Sequence, residues 1–501
     1  MPDPTQPAAL RDRGSAYSPG RFGRVAAGYD RLVVLRRTVT GEEADQAMEV
    51  RPQFALAYDG DVPRFRLADD PIPAEQAYRI VHDELMLDGN ARLNLATFVT
   101  TWMEPEADRL MADCSAKNMI DKDEYPRTAE LELRCVNILA DLWNAPAGTA
   151  AVGCSTVGSS EAGMLAGMAL LRRWRARRRA AGLPSDTPNL VMGANVQVCW
   201  EKFARYWDVE PRQMPLAAGR THLTPAEAVA RCDENTIGVV AVMGSTFDGS
   251  YEPVAAIAAA LDALAGGGGP DVPMHVDAAS GGFVAPFLDP DIVWDFRLPR
   301  VSSINASGHK YGLVYPGVGW VLWRDADHLP SDLVFHVDYL GGAMPTFALN
   351  FSRPGAQVAA QYYEFVRLGW EGYRRVQQAS RDTASWLAEQ VEATGAFELV
   401  ARGPGIPAFA VSMKPGLAGD VFDVSELMRA RGWLVPAYHF PPDLTDLAVL
   451  RVVVRNGFTR DLAGIFLEHL RGVVERLRAG AAGAAGPAAR PERETRGGFH
   501  H

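Results

Sequence analysis

The sequence of 501 residues has only five cysteines, no long apolar run and no excess of positive charge. The cysteines lack metal-ligand spacing, which predicts reduced thiols in a cytoplasmic protein and no metal site. The longest apolar stretches, such as 255–265, fall short of the ~18 residues of a membrane-spanning helix. Residues 1–20 lack the apolar core of a signal peptide, so we expect no stable membrane insertion. A net charge of −11 argues against a nucleic-acid partner.

The composition, with 48% hydrophobic and 22% charged residues, is that of an ordinary soluble globular protein. Its length suits one large domain and one smaller domain with extensions. Residues 1 to about 70 show weak periodicity and many Pro, Arg, Gly and Asp residues, which is typical of a flexible arm. The domain limits that we predict are 1–90 for the N-terminal segment, 91–355 for the large domain, 356–478 for a linking helix with a small C-terminal domain, and 479–501 for a flexible tail.

Helical patterns alternate with short apolar runs in the middle of the chain. Helices are predicted over 128–143, 162–179 and 253–265, and strands over 190–193 and 236–243. This alternation indicates βαβ units and a mainly parallel sheet that is covered on both faces. Ligands of such sheets bind beyond the C-terminal ends of the strands.

Other segments extend this picture on both sides. A helix is predicted over 72–87, and a long helical region over 362–391 leads into an α+β domain with strands near 397–401, 408–413 and 448–454. The residues at 93–102, taken by pattern alone, read as a strand with core side chains.

Two residues in small-residue surroundings carry the chemistry. Asp277 ends a β-rich run, and Lys310 follows in a turn of small residues. A lone lysine is usually a solvated surface group, and an aspartate at a strand end is more often a cap or turn residue. Together they are what pyridoxal phosphate (PLP) requires, because the lysine amine condenses with the cofactor aldehyde and the aspartate keeps the pyridine nitrogen protonated. His275 would share the strand face of Asp277, which predicts a packed or Asp-orienting side chain.

A glycine-rich turn with two serines opens the helix near residue 160. Free backbone N–H groups and the positive end of the helix dipole make such a turn an anion site, so Ser159 and Ser160 are assigned to a phosphate. The alternative is a serine N-cap with Glu161 in the first turn. Ser159, Thr246, Asp277 and Lys310 all fall at or just after predicted strand ends, which supports a shared site.

These motifs resemble the PLP-dependent group II amino-acid decarboxylases, and among them the glutamate decarboxylase family. The resemblance runs from about residue 88 to about 458. It is carried by DGNARLNLATF (88–98), VGSSEA (157–162), FARYWDVE (203–210), DFRLPR (295–300) and DYLGG (338–342).

The resemblance implies the fold-type-I architecture of PLP enzymes, with a large, mainly parallel α/β domain and a smaller C-terminal α+β domain. It also implies a set of cofactor-binding residues. They are Ser159, Ser160, Gln197, Thr246, Asp277, Ala279, Ser307, His309, Lys310, Phe351 and Ser352. A segment around the last two would cross to the phosphate of the partner subunit, so a complete site would require at least a dimer, and a hexamer is compatible with the resemblance.

The substrate implied by the resemblance is L-glutamate, which would lose its α-carboxylate to give 4-aminobutyrate. Thr97 and Phe98 would contact its distal carboxylate, together with Asn118 and Asp121 of the neighbouring subunit. Since two close carboxylates cannot both stay ionised, Asp121 would tie tight binding to acid pH. Arg451, inside an apolar strand pattern, would bind the α-carboxylate. Arg455 is the competing choice.

Histidines end the chain, and the resemblance gives them a role. In bacterial relatives such a histidine closes the site at neutral pH; here His501 corresponds to it, or His500, and a disordered tail is the alternative. Decarboxylation consumes one proton per turnover, which suggests acid resistance.

Three alternative functions remain open. They are a decarboxylase of aspartate or cysteine sulfinate, a non-catalytic PLP-binding regulatory subunit, and a PLP aminotransferase.

Overall fold

A computed structural model describes residues 62–148, 150–338 and 344–483. Residues 62–88 contain one helix, α1 (Ala74–Leu85), and this confirms the helix predicted there. An ion pair one turn apart, between Arg79 and Glu75 at 2.6 Å, lies on its surface. No helix in the described part of the chain is long and apolar enough to cross a membrane.

A seven-stranded sheet organises the residues after Gly89. Its strands are β1 (Val152–Thr156), β2 (Asn189–Gly193), β3 (Glu210–Met214), β4 (Thr236–Val242), β5 (Met274–Asp277), β6 (Val301–Ala306) and β7 (Gly319–Trp323). The spatial order is β1-β7-β6-β5-β4-β2-β3. Strands β6, β5, β4, β2 and β3 run parallel, while β7 is antiparallel to both of its neighbours. The predicted mainly parallel α/β sheet is therefore confirmed.

Helices precede and connect these strands. They are α2 (Pro105–Asp113), α3 (Pro126–Leu142), α4 (Ser159–Ala180), α5 (Val198–Tyr206), α6 (Pro225–Ala230), α7 (Val254–Gly266) and α8 (Ala285–Leu288). The apolar spacing that predicts α3, α4 and α7 places their buried faces in the core, for example Leu139 and Ile257, which are fully buried. All three predicted helices are confirmed, with ends within three residues.

A second sheet forms the C-terminal part. A short antiparallel pair, β8 (Phe335–Val337) and β9 (Met344–Thr346), precedes the long helix α9 (Ala356–Ala393), which is kinked at Gly369 with φ of 57°. Four antiparallel strands follow: β10 (Phe397–Leu399), β11 (Ala408–Met413), β12 (Ala437–His439) and β13 (Ala448–Val453). Their spatial order is β10-β11-β13-β12. Two helices accompany them, α10 (Val421–Arg429) and α11 (Arg460–Gly483). The predicted small α+β domain is thus confirmed.

Two segments differ from the sequence-based expectation. Residues 93–102 do not form a strand: a 3₁₀ turn, Ala91–Leu93, is followed by a loop whose only ladder contact is the bridge from Asn94 to Leu434. Hydrogen bonds from the side chains of Arg451 and Arg455 hold this loop, in place of the backbone ladder that a strand would form. Helix α11 also continues beyond residue 478, because its alanine-rich end retains high helix propensity.

Candidate active site

The C-terminal ends of β5 and β6 bring the two residues of the sequence motif into one site. Asp277 is the last residue of β5, and Lys310 lies in the turn that follows β6. The Lys310 amine lies 3.4 Å from the hydroxyl of Ser280, just beyond β5. Within the described residues Lys310 forms no ion pair, and burial lowers its pKa although Asp277 acts in the opposite direction. An unpaired, desolvated amine of this kind is suited to covalent chemistry.

Asp277 is held by three hydrogen-bond donors. The indole nitrogen of Trp200 donates to Oδ2 at 2.8 Å. The side-chain amide of Asn305 and the backbone N–H of Ala279 both donate to Oδ1 at 3.1 Å. Three donors from separate parts of the chain fix the orientation of the carboxylate.

Several potential hydrogen-bond donors lie together at the start of α4. The hydroxyls of Ser159 and Ser307 are 2.6 Å apart, and the first-turn N–H groups of α4 have no partners within the helix. His309 presents a buried Nδ1 that has no hydrogen-bond partner among the residues that the structure describes. A Cβ on Gly158 would come within 2.9 Å of the His309 ring, and one on Gly319 within 2.5 Å of the Gly158 carbonyl carbon, so both positions require glycine.

The remaining predicted cofactor residues surround the same strand ends. Gln197 caps α5, with its side-chain oxygen accepting from the Cys199 N–H at 2.7 Å. Thr246 follows β4, and its carbonyl oxygen accepts a hydrogen bond from Arg451. The Ala279 carbonyl accepts from the Ser307 N–H at 3.0 Å, which joins the two turns that follow β5 and β6. Ser160 is exposed beside Ser159.

Arg451 is a buried guanidinium without a carboxylate partner among the described residues. Only 8% of the residue is exposed, and within the described part of the chain its Nε has no hydrogen-bond partner. It donates to the carbonyls of Ala96, at 2.6 Å, and of Thr246. Its guanidinium carbon lies 4.6 Å from the ring centre of Phe98, and the Lys310 amine lies 5.5 Å from the same ring. The two cations therefore contact one aromatic ring, and an anion placed between them would be stabilised by both.

Arg455 has a different environment from Arg451. Its guanidinium donates to the Val99 carbonyl at 3.1 Å, to the Thr101 hydroxyl at 2.6 Å and to the Asn94 carbonyl. Within the same loop, the Thr97 hydroxyl accepts from the Val99 N–H at 3.0 Å. Arg455 thus holds the 94–101 loop in place, whereas Arg451 lies against the ring of Phe98 near Lys310.

The residues predicted to reach a neighbouring subunit pack against one another. The Asn118 side chain donates to the Ser352 hydroxyl at 3.3 Å and accepts from the Arg353 N–H at 3.1 Å. Arg353 is anchored by a buried ion pair with Glu132 at 3.0 Å. No hydrogen bond among the described residues joins Asn118 or Ser352 to Lys310.

The segment before Ser352 is held by the first turn of α4. Glu161, in the first turn of α4, accepts from the N–H groups of Leu349, at 2.9 Å, and Asn350, at 3.2 Å. Phe351 is 41% exposed, and Asp121 is partly exposed. His500 and His501, the candidate gate, lie outside the described residues. No cluster of three metal-ligating side chains occurs in the described ranges.

Comparison with known proteins agrees with this arrangement. Residues 70–414 match the model of the pyridoxal-dependent decarboxylase conserved domain. The chain belongs to the pyridoxal-dependent decarboxylase family. It is 56% identical to a glutamate decarboxylase of Aliivibrio fischeri, over 83% of this chain and 90% of the relative. It is 52% identical to glutamate decarboxylase 5 of Arabidopsis thaliana, over 88% and 90%. The solved structure of a Lactobacillus brevis glutamate decarboxylase matches with a TM-score of 0.81 and 45% identity, over 84% of this chain and 96% of that one.

The cofactor of this decarboxylase is PLP, and three features of the site fit it. The Lys310 amine is desolvated and unpaired within the described chain. Asp277 is buried at a strand end, and among the described residues its Oδ2 accepts a hydrogen bond from Trp200 alone. The unpartnered Nδ1 of His309 lies beside the start of α4, where an anion would supply its missing partner.

Sequence reasoning missed two residues of this decarboxylase site. Asn305 had a detectable signal, because polar residues at 303 and 305 in β6 match those at 275 and 277 in β5, and parallel neighbours place such pairs on one face. Trp200 had none, because its contact with Asp277 depends on how α5 packs against the sheet.

Proposed function

We propose that this chain is a PLP-dependent decarboxylase that converts L-glutamate into 4-aminobutyrate and carbon dioxide. The observation that carries the proposal is the buried Arg451, which has no carboxylate partner among the described residues and shares the ring of Phe98 with Lys310. A guanidinium in this position is suited to a substrate carboxylate. The identity to two curated glutamate decarboxylases supports the choice of substrate.

In the proposed mechanism, the residues at the strand ends hold the cofactor. Lys310 supplies the amine that binds it, and Asp277 keeps a proton on the pyridine nitrogen. When bound, PLP supplies an electron sink for the bond that breaks at the substrate Cα. The cofactor phosphate would be held by serine hydroxyls, the His309 side chain and the start of α4. Other residues would contact the pyridine ring of the cofactor. The phosphate residues are Ser159, Ser160, Ser307 and His309; the ring residues are Gln197, Thr246 and Ala279.

Arg451 has the orienting role in the proposal. Its fork would hold the α-carboxylate near Phe98 and Lys310 and would thereby fix the orientation of the bond to Cα that breaks. Loss of carbon dioxide is followed by protonation at Cα, so each turnover consumes one proton. This balance is the basis for proposing a role in acid resistance.

The distal carboxylate of glutamate would be bound by residues of two subunits. Thr97 and the Phe98 backbone come from one subunit, and Asn118 and Asp121 come from its partner. Asp121 would have to share a proton with the substrate, which strengthens binding as pH falls. Phe351 and Ser352 would cross to the partner's phosphate. The proposal therefore includes a homodimer at least.

The proposal also includes the cellular and domain organisation expected from the sequence. The chain would be cytoplasmic, with an N-terminal segment over 1–90, a PLP-binding domain over 91–355, a small domain over 356–478 and a tail over 479–501. Cell fractionation and limited proteolysis test these points, and cleavage first within 91–355 would contradict the domain limits.

Product analysis tests the reaction directly. The purified chain with added PLP should form 4-aminobutyrate from L-glutamate at about pH 4.5, and no product from aspartate or cysteine sulfinate. Chromatography of amino acids and keto acids separates the outcomes. Formation of 2-oxoglutarate would identify an aminotransferase, and bound PLP without any product would favour a regulatory subunit.

Removal of the terminal histidines tests the proposed gate. A chain that ends at Gly498 should be severalfold more active than the full chain at about pH 7.5 and equally active at about pH 4.5. The reason is that a neutral histidine can cover the site, whereas the protonated form stays hydrated at acid pH. Equal activity of the two chains at neutral pH would show that the tail does not close the site.

A further inference from the structure

Two adjacent strands carry matching polar pairs in otherwise apolar surroundings. His275 and Asp277 alternate along β5, Ser303 and Asn305 alternate along β6, and the register pairs His275 with Ser303 and Asp277 with Asn305. All four residues are at least 95% buried. Buried polar groups at this density are stable only when their hydrogen bonds are complete.

The four side chains form one hydrogen-bond network that ends on Asp277. Ser303 Oγ lies 2.8 Å from His275 Nδ1, and His275 Nε2 lies 2.7 Å from Asn305 Oδ1. The Asn305 amide nitrogen then donates to Asp277 Oδ1 at 3.1 Å. The sequence of contacts runs from a hydroxyl, through an imidazole and an amide, to a carboxylate.

The charge on Asp277 fixes the direction of two of the three bonds in this network. A carboxylate only accepts, so Asn305 must turn its NH₂ group towards Asp277 and its oxygen towards His275. That oxygen only accepts, so His275 carries its proton on Nε2. Nδ1 of the neutral ring is then an acceptor, and Ser303 donates to it. The neutral ring with its proton on Nε2 therefore satisfies all four residues.

The surroundings of His275 favour the same neutral state. Its ring lies 5.0 Å from the ring of Trp200, and burial lowers its pKa to about 4 although Asp277 and the bond to Asn305 act in the opposite direction. A neutral imidazole does not neutralise Asp277. The negative charge of Asp277 is thus available to a positive partner in the site.

We propose that His275 and Asn305 are positioning residues that hold Asp277 in the orientation in which it keeps the cofactor's pyridine nitrogen protonated. Asn305 and the Ala279 N–H occupy both acceptor positions of Oδ1, while Trp200 occupies only one on Oδ2. One acceptor position on Oδ2 is left for the pyridinium. This inference rests on the proposed function, in which Asp277 faces the pyridine.

The test uses PLP labelled with ¹⁵N at the pyridine nitrogen, bound to the resting full-length enzyme. Asn305→Leu and His275→Phe are compared with the control Ser302→Ala. Ser302 is a buried residue on the opposite face of β6, and its hydroxyl donates to the Met274 carbonyl at 2.8 Å. We expect the ¹⁵N shift of the wild type and of Ser302→Ala to report a protonated nitrogen. In Asn305→Leu and His275→Phe, the ¹⁵N shift should move towards the value of an unprotonated pyridine nitrogen.

Kinetics and a conservative variant complete the test. For Asn305→Leu and His275→Phe, kcat should fall about 10- to 100-fold, the range known for residues that orient a reactive group, with the glutamate KM within about twofold. His275→Gln, whose amide can still donate to Asn305, should recover most of the loss. Unchanged ¹⁵N shifts, or a glutamine variant as impaired as the phenylalanine variant, would overturn the inference.

Failure of the inference is distinguishable from failure of the proposed function. The ¹⁵N measurement needs no substrate, so it reports on Asp277 even if glutamate is not converted. If His275→Phe does not fold, Asn305→Leu and Ser303→Ala still interrupt the hydrogen-bond network at two points. An unprotonated nitrogen in the wild-type protein would refute this inference and the role proposed for Asp277, whereas product analysis would still decide whether glutamate is converted.

Discussion

Replacement of Lys310 by alanine should reduce glutamate decarboxylation by at least about a thousandfold, because no other lysine is among the residues assigned to the site. In the described chain the Lys310 amine has only the Ser280 hydroxyl within hydrogen-bond distance, at 3.4 Å, so its removal leaves no ion pair broken. We therefore expect a folded protein whose cofactor is released on gel filtration. Absorbance of the bound cofactor and 4-aminobutyrate formation are the measurements.

A matched control for this variant is Lys202→Ala. Lys202 is an exposed lysine on α5, outside the residues assigned to the site. Its replacement should leave both the bound cofactor and the rate unchanged. If Lys310→Ala kept more than about a tenth of the wild-type activity, Lys310 would not be the lysine that binds the cofactor.

The same variant tests whether the site is shared between subunits. A chain with Lys310→Ala and a chain with Asn118→Ala and Asp121→Ala would each be inactive alone. In mixed dimers, one of the two sites receives both lesions and the other receives none. Statistical mixing should then restore roughly a quarter of the wild-type activity. No recovery from dimers that do exchange would place all substrate contacts within one chain.

Replacement of Arg451 by lysine should lower kcat/KM for glutamate by about 100- to 1000-fold, equivalent to roughly 3–4 kcal/mol of transition-state stabilisation. The charge is retained, but the planar fork that matches a carboxylate is lost. Cofactor binding should persist, because the contacts of Arg451 are with the Ala96 and Thr246 carbonyls and the Phe98 and Tyr438 rings. Steady-state kinetics and the cofactor absorbance distinguish these effects.

Arg455→Lys is the matched comparison, since both arginines are buried and only four residues apart in the chain. Loss of its bonds to the 94–101 loop should lower the free energy of unfolding by about 1–3 kcal/mol. Its effect on kcat/KM should be clearly smaller than that of Arg451→Lys. The reverse ranking would make Arg455 the α-carboxylate ligand.

Much of the fold was predictable because its signals are local. Apolar spacing in α3, α4 and α7 and the apolar run of β4 determine helices and strands without reference to distant residues. The loop at 94–101 was not predictable in this way. Its alternating apolar residues resemble a strand, yet Asn94, Arg455 and Thr100 satisfy its polar groups, and Thr100 donates to the Lys310 carbonyl at 2.7 Å.

The sequence by itself determined the chemistry: a lysine and an aspartate in small-residue turns, with a glycine and serine helix start, specify a PLP site at the ends of parallel strands. Only the tertiary structure decided which arginine contacts Phe98 and which groups hold Asp277. The physical reason is distance along the chain. Trp200, Asp277 and Asn305 come from three separate elements, and their hydrogen bonds exist only after packing has brought the donors within about 3 Å of the carboxylate.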